Sequence, residues 1–299
     1  MLRLLMGLGL LACGSSPPAA PTNGHTTTSE LAALERPDSG SRGARPVVRS
    51  GELVMGLDAT RTLIARRMAV PDHADPPFRA TVALWESGPV AHRLPWHYDD
   101  VFIAHAALLP GGGLAVIDAP GRLVLLDSPQ SAPRIVAEGA NGPIGVSPDG
   151  ERITFVYGDM PDFELVEVTR AGGPPRAVTT ALAPVWCGAP GRANGSAVFA
   201  SGSGGEAGAW ISSPGESPWR VAGVPFPSGL SAPHAVALGD RDVYVYETEV
   251  GIAVLDVRGS LVHSTQSGRA PFLHGDGTLE YLTSAGWQSI VLSARAVTP

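Results

Sequence analysis

The chain has 299 residues, a formal net charge of −7 and 44% apolar residues, enough to bury a large core. All 21 of its cationic side chains are arginine, which excludes a Schiff-base lysine, a Walker-type phosphate lysine and a Ser-Lys nucleophile pair. No basic stripe runs along the chain, so nucleic acid is not an expected partner, while 37 glycines and 28 prolines imply many turns between short strands.

Met1 to Ala12 carries one cation, Arg3, followed by an apolar run from Leu4. That run is too short for a bilayer, which needs about 20 residues, and it has the form of a signal-peptide core. It ends in Leu10-Leu11-Ala12-Cys13, which resembles the lipobox of bacterial lipoproteins, although Leu11 is larger than the residue usual there. The resemblance implies removal of residues 1–12 and acylation of Cys13. With Gly14 rather than Asp after the cysteine, it implies the outer rather than the inner membrane of a bacterial envelope, facing the periplasm or the exterior. One acyl chain holds a protein only reversibly, whereas two or more anchor it stably. Residues 13–44 are rich in Ser, Pro, Gly and Thr and contain no aromatic residue. Such a stretch buries too little apolar area to offset its ordering entropy, and it reads as a flexible tether.

From residue 45 to residue 299 short β-branched and aromatic runs alternate with Gly, Pro and Asp, and the pattern is all-β. The clearest unit opens at Gly142-Pro143, turns at Ser147-Pro148-Asp149-Gly150, and continues through strands at 152–157, 163–168 and 176–179. Asp-Gly supplies the turn because glycine takes positive φ without steric cost and Pro presets the preceding φ. A Gly-Pro or Ala-Pro pair recurs at Pro143, Pro184, Pro233 and Pro271. An Arg followed by apolar residues marks the outermost strand at Arg93, Arg134, Arg176, Arg220 and Arg295, with Leu261-Val262 as the copy that lacks the Arg. A period of about 41 residues with four strands per unit is the signature of a β-propeller. Six outer strands imply six four-stranded blades, or seven if residues 45–50 add a strand. A sandwich, the rival all-β fold, gives no reason for landmarks at constant spacing. Either Arg45-Pro46-Val47-Val48-Arg49 or Arg295 to Thr298 can complete the last blade and cover its edge.

The run Gly145-Val146-Ser147-Pro148-Asp149-Gly150 with Ile153-Thr154-Phe155, and the ending Arg176-Ala177-Val178-Thr179-Thr180, resemble the repeat of TolB-like (WD40-like) propellers. The full motif occurs in one unit and fragments of it occur in the others. The resemblance implies the fold and a choice of roles, since such domains include periplasmic proteins that bind envelope proteins and propellers attached to serine peptidases. The peptidase option needs a nucleophile elbow of the Gly-x-Ser-x-Gly kind, which is absent, and a second domain for which the repeat leaves no room.

A metal-dependent propeller hydrolase, such as a lactonase, needs ligands converging on the central channel. Candidates near the starts of different blades are Asp99, Asp100, His105, His234 and His274. A second set, Asp72, His73 and Asp75 with His97, Asp99 and Asp100, offers carboxylates and imidazoles for a cation in long loops, although among these prolines polar residues are expected in any exposed loop. Cys187 reads as a small apolar core residue. Trp85, Trp186, Trp210, Trp219 and Trp287 fall in or beside strands and read as packing between blades, whereas Trp96-His97-Tyr98 reads as a surface anchor for a partner. No cofactor is expected. The sequence thus predicts a lipid-anchored, non-catalytic platform for envelope proteins or a small ligand, with the channel-metal hydrolase and a cell-wall sugar binder as alternatives.

Overall fold

In a computed structural model of the protein, the structure describes residues 43–69, 78–94, 103–118, 120–158, 162–179, 184–192, 196–202, 207–224, 232–238 and 241–292. Cys13, the tether up to residue 42, the Trp96-His97-Tyr98 anchor with Asp99 and Asp100, the Asp72-His73-Asp75 set, and the strand expected at 295–298 lie outside these residues.

The strands form six antiparallel sheets, each a meander in chain order. Blade 1 is β1 (Glu52–Leu57), β2 (Arg61–Ala69), β3 (Phe78–Glu86) and β4 (His92–Arg93). Blade 2 is β5 (Ile103–Leu108), β6 (Leu114–Asp118), β7 (Arg122–Leu126) and β8 (Arg134–Glu138). Blade 3 is β9 (Ala140–Val146), β10 (Arg152–Tyr157), β11 (Glu164–Thr169) and β12 (Arg176–Thr179). Blade 4 is β13 (Val185–Pro190), β14 (Ala197–Ser201), β15 (Gly208–Ser212) and β16 (Trp219–Arg220). Blade 5 is β17 (His234–Leu238), β18 (Arg241–Glu247), β19 (Ile252–Asp256) and β20 (Leu261–Thr265). Blade 6 has three strands among the described residues, β21 (Arg269–Leu273), β22 (Thr278–Thr283) and β23 (Gly286–Val291). Innermost strands pack β1 on β5, β5 on β9, β9 on β13 and β13 on β17; β18 meets β21, and β21 meets β1 to close the ring.

The motif-bearing turn of blade 3 shows how local chemistry sets the meander. Gly150 sits at φ +76° and its N–H donates to the Ser147 carbonyl. The Ser147 hydroxyl donates to Asp149 Oδ1 at 2.5 Å and accepts the Arg152 N–H at 2.9 Å, so β10 starts in a fixed register. Burial alone would raise the Asp149 carboxyl pKa. The Ser147 hydroxyl, backbone N–H donors and the Arg152 charge outweigh it and hold the pKa below the ordinary carboxylate value.

Side chains alternate across each strand, so each blade turns one face to the blade before it and the other to the blade after it. Leu63, Val82 and Leu84 of blade 1 pack on Ile103, Leu114 and Val116 of blade 2. Ile117, Leu123 and Leu125 of blade 2 pack on Ile144, Ile153 and Phe155 of blade 3. Leu165 of blade 3 packs on Val185 and Phe199 of blade 4, Val198 and Ile211 of blade 4 on Tyr244 and Leu255 of blade 5, and Val243 and Val254 of blade 5 on Leu279 and Ile290 of blade 6. Five of the six junctions are thus filled with buried hydrocarbon. The sixth, between blades 6 and 1, carries no such cluster among the described residues.

Residues 43–49 run along this sixth junction as a strap. They form no ladder and add no blade: Ala44 makes one isolated bridge to Gly88, and the Pro46 carbonyl accepts the Trp287 indole N–H at 3.0 Å.

Candidate functional site

The seam between blades 6 and 1 is held by polar groups. On β22, Leu279 and Tyr281 face blade 5, which turns Thr278, Glu280 and Leu282 toward the seam. On β2, Leu63 and Ala65 face blade 2, which turns Thr62, Ile64 and Arg66 toward it. Arg45 fills the gap, with only 3% of its side-chain surface exposed. Its Nε and Nη2 donate in a fork to Glu280 Oε1 and Oε2, at 3.0 and 2.8 Å. Its Nη2 also donates to the Asp58 carbonyl at 2.6 Å, and its Nη1 to the Arg61 carbonyl at 3.0 Å and to Thr62 Oγ1 at 3.3 Å. One guanidinium thus bridges the last blade to the first turn of the first blade, using donors that a lysine does not possess. The guanidinium carbon also lies 6.0 Å from the Trp287 ring centroid.

His274, at the turn between β21 and β22, places Nε2 3.0 Å from Glu280 Oε2 and stands edge-on to Phe272. Burial alone would raise the Glu280 carboxyl pKa. Hydrogen bonds from His274 and Arg45, together with the Arg45 charge, outweigh that and bring it down to about 2. Glu280 is therefore an anion across the physiological range, held by two partners.

Outward from Arg45 the seam opens into a cleft of about 680 Å³. One wall is the strap, with Pro46, Val47 and Arg49; the other is blade 1, with Ile64, Arg66, Trp85, Val90 and Arg93. Glu52, whose carboxylate accepts the Arg49 backbone N–H at 2.8 Å, also lines it. Val47 and Val90 are 83% and 78% exposed at its lip.

The residues singled out from the sequence are dispersed. His105 lies on β5 opposite Ile117, and His234 opens β17 opposite Val245. Burial pushes the His234 imidazole down to about 4, so its ring is neutral at physiological pH even though the residue keeps some accessible surface. Among the described residues no three His, Cys, Asp or Glu side chains gather closely enough to hold a metal ion. His274 is committed to Glu280. Cys187 is buried in β13 with its thiol pushed up to about 12 by burial, as suits a core residue. Trp186 packs edge-on to Phe163 and Trp210 and Trp219 pack on blade-junction clusters, while Trp85 and Trp287 lie at the seam. Sequence reasoning passed over Arg45 as an anchor and Glu280 altogether. One signal for Glu280 was present: it takes the third position of a second strand, where the other blades carry Leu63, Val116, Thr154, Phe199 and Val243.

The fold defines a class, the six-bladed β-propellers. Within that class the chain's fold is similar to that of several solved propellers. It is similar to TolB from Acinetobacter baumannii, with TM-score 0.51 and 15% identity over 79% of this chain and 64% of that one, so it spans less than two thirds of that protein. It is also similar to the nidogen/laminin complex structure, with TM-score 0.54 and 12% identity over 79% of this chain and 90% of that one. A gluconolactonase from Xanthomonas campestris matches with TM-score 0.51 and 11% identity over 78% of this chain and 90% of that one. At these identities the likeness concerns the fold. No family model and no curated protein matches the chain.

Proposed function

We propose that the protein is a lipoprotein of the bacterial envelope, acylated at Cys13, whose propeller is a non-catalytic platform for an envelope protein or a small ligand. The observation that carries this reading is that one closed ring accounts for every described strand from Glu52 to Val291, with the strap that leads out of the tether fixed into it by Arg45. Such a ring presents rigid loop faces and a seam to a partner. The likeness to TolB, and to a structure of nidogen with laminin, supports protein binding as the use of that surface.

The test has two parts. Wild-type protein is expected in the membrane fraction with incorporated acyl label, and Cys13→Ser is expected to release it unlabelled; a wild-type chain that is neither labelled nor membrane-bound overturns the anchor. Crosslinking in the native envelope is expected to recover a defined partner or ligand.

A channel-metal hydrolase is the second reading. The likeness to a gluconolactonase and the neutral His234 on an innermost strand support it. Stoichiometric metal in the purified protein, lost on His105→Ala or His234→Ala, would establish that reading in place of the first, whereas metal-free protein with a crosslinked partner upholds the platform.

A further inference from the structure

The space at the seam is a feature of how the ring is built. Neighbouring blades elsewhere bring hydrocarbon faces together, and protein interiors pack with few voids larger than a water molecule. Blade 1 instead turns Ile64 and Trp85, with Arg66 and Arg93, into a cleft whose far wall is the strap. Its volume, about 680 Å³, lies within the range of about 300–1,000 Å³ typical of small-molecule sites.

The charge of that lining is opposite to the charge of the whole. Among the described residues, Arg49 and Arg66 line the cleft against a single carboxylate, Glu52, Arg45 being neutralised by Glu280, in a chain of net charge −7. A second hollow of about 430 Å³, between blades 5 and 6, has the reverse balance, with Glu247 and Glu249 against Arg269. Guanidinium groups are planar forks that match carboxylate and phosphate oxygens, and the indole of Trp85 with Ile64 supplies an apolar floor beside them.

We propose that the seam cleft binds an organic anion, a carboxylate or phosphate ester carried on an apolar or ring-shaped body. The anionic group lies between Arg49 and Arg66, and the body lies on Trp85 and Ile64. This rests on the binding reading above and names the chemistry of one site on the platform. The exposure of the arginines makes the attraction dependent on ionic strength.

Calorimetric titration of the full chain tests it, with 2-naphthylacetate as the carboxylate probe, 2-naphthyl phosphate as the phosphate probe and 2-naphthylethanol as the uncharged counterpart. The expected result is saturable one-site binding of at least one anion, at least about tenfold tighter than the alcohol and weakened by salt. Arg49→Gln and Arg66→Gln are each expected to weaken it about fivefold, while Arg258→Gln, on an exposed turn of blade 5, leaves it unchanged. The tighter of the two anions identifies the headgroup. Equal affinity for the alcohol, or unchanged affinity in both cleft variants, overturns the proposal. Retention of the native envelope crosslinks in Arg49→Gln/Arg66→Gln, alongside that negative result, would remove the cleft and leave the platform reading standing.

Discussion

The junction of blades 3 and 4 and the seam of blades 6 and 1 solve the same problem with different materials. At the former, Arg152 begins β10, is held by Glu167 Oε2 at 3.3 Å, and donates to the Gly191 and Arg192 carbonyls at the next blade's turn, at 2.8 Å to the latter. At the seam, Arg45 is held by Glu280 and donates to the Asp58 and Arg61 carbonyls of the next blade's turn. The arginine clasp is common to both, but at the first junction it belongs to the blade and lies above Leu165, Val185 and Phe199. At the seam it is contributed by the strap, with a polar network and an open cleft where the hydrocarbon would be. A ring made from one repeat has one junction where the first blade meets the last, and here that junction carries the least apolar packing among the described residues.

The largest effect expected from this contrast is at the apolar junction. Phe199→Ala removes a fully buried ring and is expected to cost about 3–5 kcal/mol, read as a lower urea midpoint. Glu280→Leu strands the Arg45 charge in a buried setting and is expected to cost about 3 kcal/mol. Adding Arg45→Met to it is expected to recover part of that loss, because the pair offsets its own desolvation more than it adds net stability. A double variant less stable than Glu280→Leu would show that the Arg45 contacts to the blade 1 carbonyls stabilise the ring on their own. Arg45→Lys is expected to behave like a partial deletion, since one ammonium cannot serve a carboxylate and two separate carbonyls.

The two regions also separate by pH. The His234 and His263 imidazoles of blade 5 are both lowered by burial, His234 to about 4. The unfolded chain takes up these protons first, so the contribution of both is complete above about pH 6.5 and declines below it, that of His234 being lost as the pH falls to about 4. Glu280 is lowered to about 2, so its contribution is complete above about pH 4.5 and is lost between there and pH 2. Urea midpoints against pH are expected to show both declines in wild type, each worth up to about 3 kcal/mol. His234→Phe is expected to reduce the upper decline, and Glu280→Gln to remove the lower one.

The smallest effect sits at the entry to blade 6. Ala270 is the only non-glycine with positive φ among the described residues, at +48°, in the position where blade 3 has Gly142 at +69°. Its N–H donates to Glu247 Oε2 at 2.9 Å, which helps hold the left-handed conformation. Ala270→Gly is expected to stabilise the protein by about 0.5–1 kcal/mol; a loss of stability would mean that the alanine methyl packs better than its backbone is strained.

How far the sequence foretold this follows from the range of the interactions. The blade period was legible because turns such as Ser147-Pro148-Asp149-Gly150 and His274-Gly275-Asp276-Gly277 fix their own geometry within a few residues. The seam was not, because Arg45 and Glu280 are separated by 235 positions and only ring closure brings them together. Arg45 stood out as part of a candidate strand, and its side chain turned out to matter more than its backbone pairing. Trp85 was assigned to packing between blades, yet it lines the cleft because its face of blade 1 meets no apolar cluster among the described residues.

Hydrogen exchange measured strand by strand in wild type and in Arg45→Ala tests the polar seam most directly. If the strap arginine joins the ends of the ring, exchange accelerates in β1, β2, β22 and β23 while β10, β13 and β14 keep their protection. Acceleration spread evenly over all six blades, or none at all, would contradict it.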